Sequence, residues 1–270
     1  MMKKILLIGC GHMGSALLAS WIKSKKYSIS IVDPLKYNSL KNKFKNNRIK
    51  IFKKILDLKI NSNFDFIILA TRPLDLNDAL VDLSKIKLNS KTVLISVVAG
   101  KKINLLRSKL KKFSNFYRVM PNMPAVIGQS MNCVVTNNRY KKSIKEEVIK
   151  LFSFSGNTIF LKNEKQIDMA TAVSGSGPGF VFNMIDAMEK AAIKLGFNKE
   201  VSRIMVSQTF RGSINLLLNN SLTAEDLVKT VATQGGTTEA GLKIMKKYNF
   251  EKVFIKVLKA SYQRAKEQGK

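Results

Sequence analysis

Near the start of the chain, Gly9-Cys10-Gly11-His12-Met13-Gly14 has the spacing G-x-G-x-x-G. Residue types in that pattern suit a pyrophosphate. Gly9 allows a tight turn, Gly11 lets the backbone approach the phosphates, and Gly14 lets the next helix pack closely on the strand. Free N–H groups at the start of that helix then face the anion. Asp33 follows about 20 residues later, where an acidic side chain can accept hydrogen bonds from both ribose hydroxyls of NAD and repel the 2′-phosphate of NADP. Two further readings stay open. Lys36 can neutralise a phosphate, and Asp33 before Pro34 can cap the following helix. The motif therefore admits NADH or NADPH.

His12 is the single histidine. Its place inside the phosphate turn makes it a neighbour of the phosphates (with Met13) rather than a general acid. A Ser-His-Asp triad would need this one imidazole, which argues against hydrolase chemistry.

Three later segments carry polar groups on constrained backbone. In Arg118-Val-Met-Pro-Asn-Met-Pro-Ala125, two prolines flank Asn122 and stiffen the loop, which is either a site or a plain turn. Ser174-Gly-Ser-Gly-Pro-Gly179 offers small residues and amides at a helix start, for an anion or for a tight helix corner; Ser174 and Ser176 are candidates for holding substrate. Thr233-Gln-Gly-Gly-Thr-Thr238 exposes backbone donors and hydroxyls together, a combination that grips a carboxylate. Equally, Thr237 or Thr238 can cap the next helix with Glu239 in its first turn.

The elements that position these groups follow from periodicity. Apolar runs predict strands over 4–9, 28–33, 64–70, 92–98, 115–120, 131–136 and 157–161, with a short one near 49–52. Helical periodicity falls between them, at 13–25, 35–46, 74–86 and 141–153. That alternation predicts an α/β fold, a Rossmann-type doubly wound parallel sheet covered on both faces. After about residue 163 the period changes, and helices are expected near 165–172, 177–196, 199–219, 223–231, 236–247 and 250–267, with no strand. The reading is a dinucleotide-binding domain over 1–162 and an all-helical domain for substrate binding and dimerisation over 163–270.

The formal net charge is +29, from 47 Lys and Arg against 18 Asp and Glu. Lys outnumbers Arg and is spread along the chain, with no nucleic-acid module beside it, so a nucleic-acid partner is not expected. Cys10 and Cys133 lie far apart without metal-ligand spacing, as expected of two reduced thiols in a cytoplasmic protein and of a site without a metal. The apolar run before Cys10 is too short for a signal peptide, and no stretch of about 18 apolar residues predicts a membrane span.

Taken in order, Gly9–Gly14, Ala70-Thr-Arg-Pro73, Val97-Val-Ala-Gly100, Arg118–Ala125, Ser174–Phe180 and Gly235-Gly-Thr-Thr-Glu-Ala-Gly241 resemble pyrroline-5-carboxylate reductases over nearly the whole chain. The resemblance implies reduction of 1-pyrroline-5-carboxylate to L-proline with NAD(P)H, by a dimer or a ring of dimers. It implies that Ala70, Thr71, Arg72 and Pro73, with Val97, Ala99 and Gly100, line the nicotinamide half of the cofactor site beside Asn122. The loop of Thr233, Gly235, Gly236 and Thr237 would hold the substrate carboxylate, and Thr238 would place its hydroxyl near the ring nitrogen. The chain departs from the family pattern at Thr71-Arg72, Met123, Thr233-Gln234, Phe180 and His12; these bear on substrate affinity rather than reaction type. β-Hydroxyacid dehydrogenases share the two-domain build, but Lys190 and Lys194 lie too far along the first long helix for the lysine those enzymes use.

Overall fold

The computed structural model describes residues 2–45, 49–58, 63–136 and 141–269. The chain forms two compact units, Met1–Ser176 with Ser261–Lys270, and Gly177–Ala260. The change of period near 163 and the edge of the first unit thus fall at different places.

The first unit opens with β1 (Lys3–Ile8), α1 (His12–Ser24), β2 (Tyr27–Val32), α2 (Tyr37–Lys43) and β3 (Lys50–Phe52). It continues with β4 (Phe66–Leu69), α3 (Leu76–Lys85), β5 (Val93–Ser96), α4 (Ile103–Lys109) and β6 (Asn115–Met120). A 3-10 turn over Met123–Ile127 leads to β7 (Ser130–Thr136), α5 (Lys142–Ser153), β8 (Gly156–Phe160) and α6 (Lys165–Ala170), followed by a π turn over Thr171–Gly175.

The strands make one sheet in the order β3-β2-β1-β4-β5-β6-β7-β8. All neighbours are parallel except β6 and β7, where Tyr117 pairs with Thr136 and Met120 with Cys133 in antiparallel register. The expected doubly wound parallel sheet is present, with this one antiparallel pair inside it. The connection over 121–129 is too short for a crossover helix, so the chain can only turn back.

Alternation along the strands builds two cores. Leu6, Ile8, Ile67 and Leu69 face one side, with Leu80 of α3 and Leu106 of α4. Ile5, Leu7, Ile31 and Ile68 face the other, with Trp21 of α1 and Phe152 of α5. Trp21 Nε1 donates to the Leu151 carbonyl at 2.8 Å, so the indole is buried without an orphan donor. With both faces covered, every residue of the central strands β4 and β5 is buried, and each large side chain contributes about 1.5–3 kcal/mol.

The second unit holds α7 (Gly177–Lys194), α8 (Lys199–Leu218), α9 (Ala224–Val231), α10 (Thr237–Lys247) and most of α11 (Phe250–Gln268). Asn198 Oδ1 caps α8 by accepting from Val201 N, and Thr223 and Asp226 form a reciprocal capping box at α9. Among the described residues, no strand follows Phe160, and no helix is long and apolar enough to cross a membrane. Val206 is the one buried apolar side chain among the described residues of this unit, whereas Phe182, Ile204, Ile214 and Val231 are all more than half exposed.

Candidate active site

The carboxyl ends of parallel strands form the working edge of such a sheet, with β1 and β4 flanking the point where strand order reverses. A cleft of about 570 Å³ lies there, lined by Gly9, Gly11, His12 and Met13 after β1, by Asp33 and Lys36 after β2, and by Ala70, Thr71 and Arg72 after β4.

The glycine turn is built by exclusion. Gly9 has φ +90°, and a Cβ there would lie 2.6 Å from the Ala70 carbonyl oxygen. A Cβ on Gly14 would lie 2.2 Å from the Gly9 carbonyl oxygen, so α1 packs against its own turn. A Cβ on Gly11 would meet nothing within 4 Å, because that position faces open space. Gly11 is the N-cap of α1 with no side-chain hydrogen bond and no acidic residue in the first turn, so the amides of that turn have no side-chain partner. Uncapped amides, an open glycine and a positive helix end fit a phosphate. Thr71 Oγ1 is buried with no hydrogen-bond partner among the described residues, a second group on the same cleft that a polar ligand could satisfy. The residues present therefore fit a dinucleotide.

Asp33 is buried, and backbone amides occupy both of its oxygens. Oδ2 accepts from Cys10 N at 2.7 Å, and Oδ1 from Leu35 N at 3.0 Å and Lys36 N at 2.8 Å. The carboxylate ties the glycine turn to the turn after β2. It does not cap α2 itself, whose N-cap is Lys36. Burial raises the Cys10 thiol above its ordinary pKa, against a smaller lowering by the Ser15 hydroxyl.

Several expected cofactor residues lie off this cleft. Val97 continues β5, its amide donating to Leu69 O at 2.9 Å, with Ala99 half-buried just beyond. Gly100 has φ +71°, and a Cβ there would lie 2.3 Å from the Gln268 carbonyl oxygen at the end of α11. Pro73 is exposed. Asn122 is buried and committed within the fold: Nδ2 donates to Ser174 O, Oδ1 accepts from Met131 N, and its own amide donates to Ser130 Oγ. Ser174 Oγ donates to Ala170 O at 2.9 Å, and Ser176 Oγ shares a 2.9 Å hydrogen bond with Ser261 Oγ. The amide of Ser176 donates to Thr171 O, so this segment is a π turn, a geometry that recurs at functional sites, rather than a fresh helix start with free amides.

In the second unit, Gly236 N donates to Thr233 O at 3.0 Å, and Gly235 takes φ +74°, the positive value that a type II turn requires at that position. Glu239 Oε2 accepts from Gly235 N at 2.9 Å, and Lys243 pairs with Glu239 at 3.2 Å. The N-cap of α10 is Gly236, without a side-chain hydrogen bond, so the idea that Thr237 or Thr238 caps this helix is corrected. Both threonines are exposed at the helix start, and Thr238 lines an apolar groove of about 340 Å³ with Ile214, Leu217, Leu227, Val231 and Leu242.

Sequence reasoning missed Lys53, Lys54, Asp78 and Asp82, which also line the first cleft. It also gave Arg118 no partner, whereas that buried guanidinium lies 3.3 Å from Glu164 and 3.6 Å from Asp168. No spacing rule marks either set.

Residues 164–268 match the family described as pyrroline-5-carboxylate reductase dimerisation, and residues 4–100 match one described as NADP oxidoreductase coenzyme F420-dependent. Pyrroline-5-carboxylate reductase 2 of Bacillus subtilis is 30% identical over 273 residues, covering 98% of this chain and 95% of that protein. The chain belongs to the pyrroline-5-carboxylate reductase family. Within that family, the Staphylococcus haemolyticus reductase is 27% identical over 99% of this chain and 98% of its own. Among solved structures, the Coxiella burnetii reductase covers the whole of both chains at 27% identity and TM-score 0.88. The Plasmodium falciparum pyrroline carboxylate reductase with NADP bound does so at 26% identity and TM-score 0.85. The family assignment agrees with the Rossmann-type first unit and the helical second one.

Proposed function

We propose that this chain reduces 1-pyrroline-5-carboxylate to L-proline with NADH or NADPH, the last step of proline synthesis. The observation that carries the reading is the full-length family match coinciding with an open, uncapped glycine turn on a cleft at the sheet's working edge. When bound, the reduced nicotinamide supplies the hydride.

The chain's own residues hold and orient. Gly9, Gly11, His12, Met13 and Gly14 receive the pyrophosphate, and Asp33 fixes the shape of that turn from behind. Ala70, Thr71 and Arg72 wall the cleft beside the glycine turn, with Thr71 Oγ1 as a buried hydroxyl to bind there, and Pro73, Val97, Ala99 and Gly100, which lie off the cleft itself, flank its nicotinamide end in this reading. Asn122 keeps the neighbouring loop in place. In the turn before α10, the amides of Gly236 and Thr237 take the substrate carboxylate, supported by Thr233 and Gly235, and Ser174 and Ser176 shape the pocket for the ring. Thr238 donates its hydroxyl to the imine nitrogen. A cyclic imine takes up a proton near neutral pH, so positioning does most of the catalysis and no strong side-chain acid is needed.

The helical segment over 163–270 dimerises in this reading, with residues 1–162 as the dinucleotide domain. A helical unit that leaves Phe182, Ile204 and Ile214 more than half exposed needs a partner to cover them. The place of action is the cytoplasm, in keeping with two buried, unpaired thiols.

The test is steady-state oxidation of NADH and NADPH with 1-pyrroline-5-carboxylate, run on the wild type and on Thr238→Ala. The wild type is expected to oxidise at least one cofactor, and the variant to lose about one to three orders of magnitude in kcat, as for a lost transition-state donor. Oxidation of neither cofactor would remove the activity, and unchanged turnover in the variant would remove the role of Thr238.

A further inference from the structure

We infer that the β2–β3 side of the cleft is a 2′-phosphate site, so that this chain favours NADPH over NADH despite an acidic residue at the end of β2. The inference rests on reading this cleft as the dinucleotide site. An acidic residue in that position favours NAD when its carboxylate is free to accept from both ribose hydroxyls. Here Oδ1 and Oδ2 of Asp33 already accept from three backbone amides, at 2.7, 3.0 and 2.8 Å. Turning the carboxylate toward a ribose would strand those buried donors, Cys10 N among them.

Positive charge gathers around the same point. Lys36, Lys53 and Lys54 all line the cleft. Asp33 N donates to Phe52 O at 3.3 Å, which places Lys53 beside Asp33 at the ends of two adjacent parallel strands. None of the three lysines has an acidic ion-pair partner among the described residues. Apart from Asp33, whose carboxylate is taken up by backbone amides, the acidic residues of the cleft sit after β4 and along α3, where Asp75 is held by Arg72 at 2.6 Å and Asp82 by Lys85 at 3.2 Å, leaving Asp78. A dianionic phosphate on the ribose therefore meets, on its own side, three cations without an ion-pair partner among the described residues. Lysine serves such a group as a mobile point charge.

The test is calorimetric titration of the full-length chain with NADP+, NAD+, adenosine 2′,5′-bisphosphate and AMP, in low and high salt. NADP+ is expected to bind at least about tenfold tighter than NAD+, and the bisphosphate tighter than AMP by a similar factor, with both advantages shrinking in salt. The exposed-surface triple variant Lys36→Ser, Lys53→Ser and Lys54→Ser is expected to lose most of the preference while holding NAD+ within about twofold of wild type. Asp33→Asn is expected to weaken both dinucleotides in the same proportion, because it loosens the shared turn. Equal or tighter binding of NAD+ by the wild type overturns the inference and leaves the dinucleotide site standing. So does an Asp33→Asn variant that loses NAD+ and gains NADP+. Binding of neither dinucleotide overturns the inference together with the reading of the cleft.

Discussion

Asn122 Nδ2 donates to the carbonyl oxygen of Ser174 at 3.0 Å, and the same side chain accepts from Met131 N at 3.0 Å through Oδ1. One buried amide thus ties the loop after β6 to the start of β7 and to the π turn that ends α6. The flanking prolines limit the loop's conformations, and Asn122 selects one of them. Asn122→Leu keeps the volume but leaves a buried donor and a buried acceptor unmatched. It is expected to lower the unfolding free energy by about 2–6 kcal/mol, at about 1–3 kcal/mol per stranded group. Urea denaturation at fixed protein concentration measures this, and a loss below about 0.5 kcal/mol would show that the staple is dispensable.

Arg118 lies between two carboxylates that come from another element. Its guanidinium side chain is 4% exposed, and Glu164 also accepts from Ile103 N at 2.8 Å, so β6, α6 and the start of α4 meet at one charge. Arg118→Met would leave Glu164 and Asp168 facing each other without a counter-charge. A cost of about 3–5 kcal/mol is expected, the penalty of breaking a buried pair from one side. Adding Glu164→Gln and Asp168→Asn to that variant removes the stranded charges, and the triple variant is expected to be more stable than Arg118→Met. If the triple variant is less stable than the single, the cost came from lost packing and not from charge.

At the start of β1, Lys3 Nζ lies 2.9 Å from Glu147 of α5 and 3.2 Å from Asp65 before β4. The hydrogen bond with Glu147 raises its pKa above the ordinary 10.5, against a lowering by burial and with further help from Asp65. A raised folded-state pKa means that folding favours the charged form. The stabilisation is therefore fully present below about pH 10 and lost as pH climbs through the folded value. Lys3 is 43% exposed, so solvent screens the pair and its worth is no more than about 1 kcal/mol. The difference in unfolding free energy between wild type and Lys3→Met is expected to be flat from pH 7 to 9 and to shrink above pH 10. A difference that grew at high pH would reverse the sign assigned here.

Much of this arrangement was legible before the structure. Runs such as Ile5–Ile8 and Phe66–Leu69 announce buried parallel strands, and the glycine spacing announces the turn between β1 and α1 because each glycine answers a local steric demand. Strand direction was not legible: β7 carries the same apolar signal whether it runs with β6 or against it, and the short connection after Met120 decides. The seven-residue α4 escaped because two turns hold too few residues to show a period. Which amides reach Asp33 was not legible either, because residue type does not record it. Lys53 and Lys54 join Lys36 only through strand pairing, which no local pattern records. Thr237 and Thr238 looked like caps, yet the helix already begins at Thr237 and its N-cap is Gly236.

The last residues of α11 return to the first unit and press on the loop after β5. Gly100 stands at φ +71°, and a Cβ there would lie 2.3 Å from the Gln268 carbonyl oxygen and 3.1 Å from the Gln268 Cβ. Gly100→Ala therefore meets two separate penalties. One is the left-handed backbone, at about 1–2 kcal/mol for a non-glycine residue. The other is the collision, which either lifts the end of α11 or shifts the loop. The two can be separated by making Gly100→Ala in the full chain and in a chain ending at Glu267. Full-length Gly100→Ala is expected to melt well below wild type, whereas in the shortened chain the same substitution should cost only the backbone share. An equal cost in both chains would mean that the helix end does not constrain this loop, and that the glycine serves the turn alone.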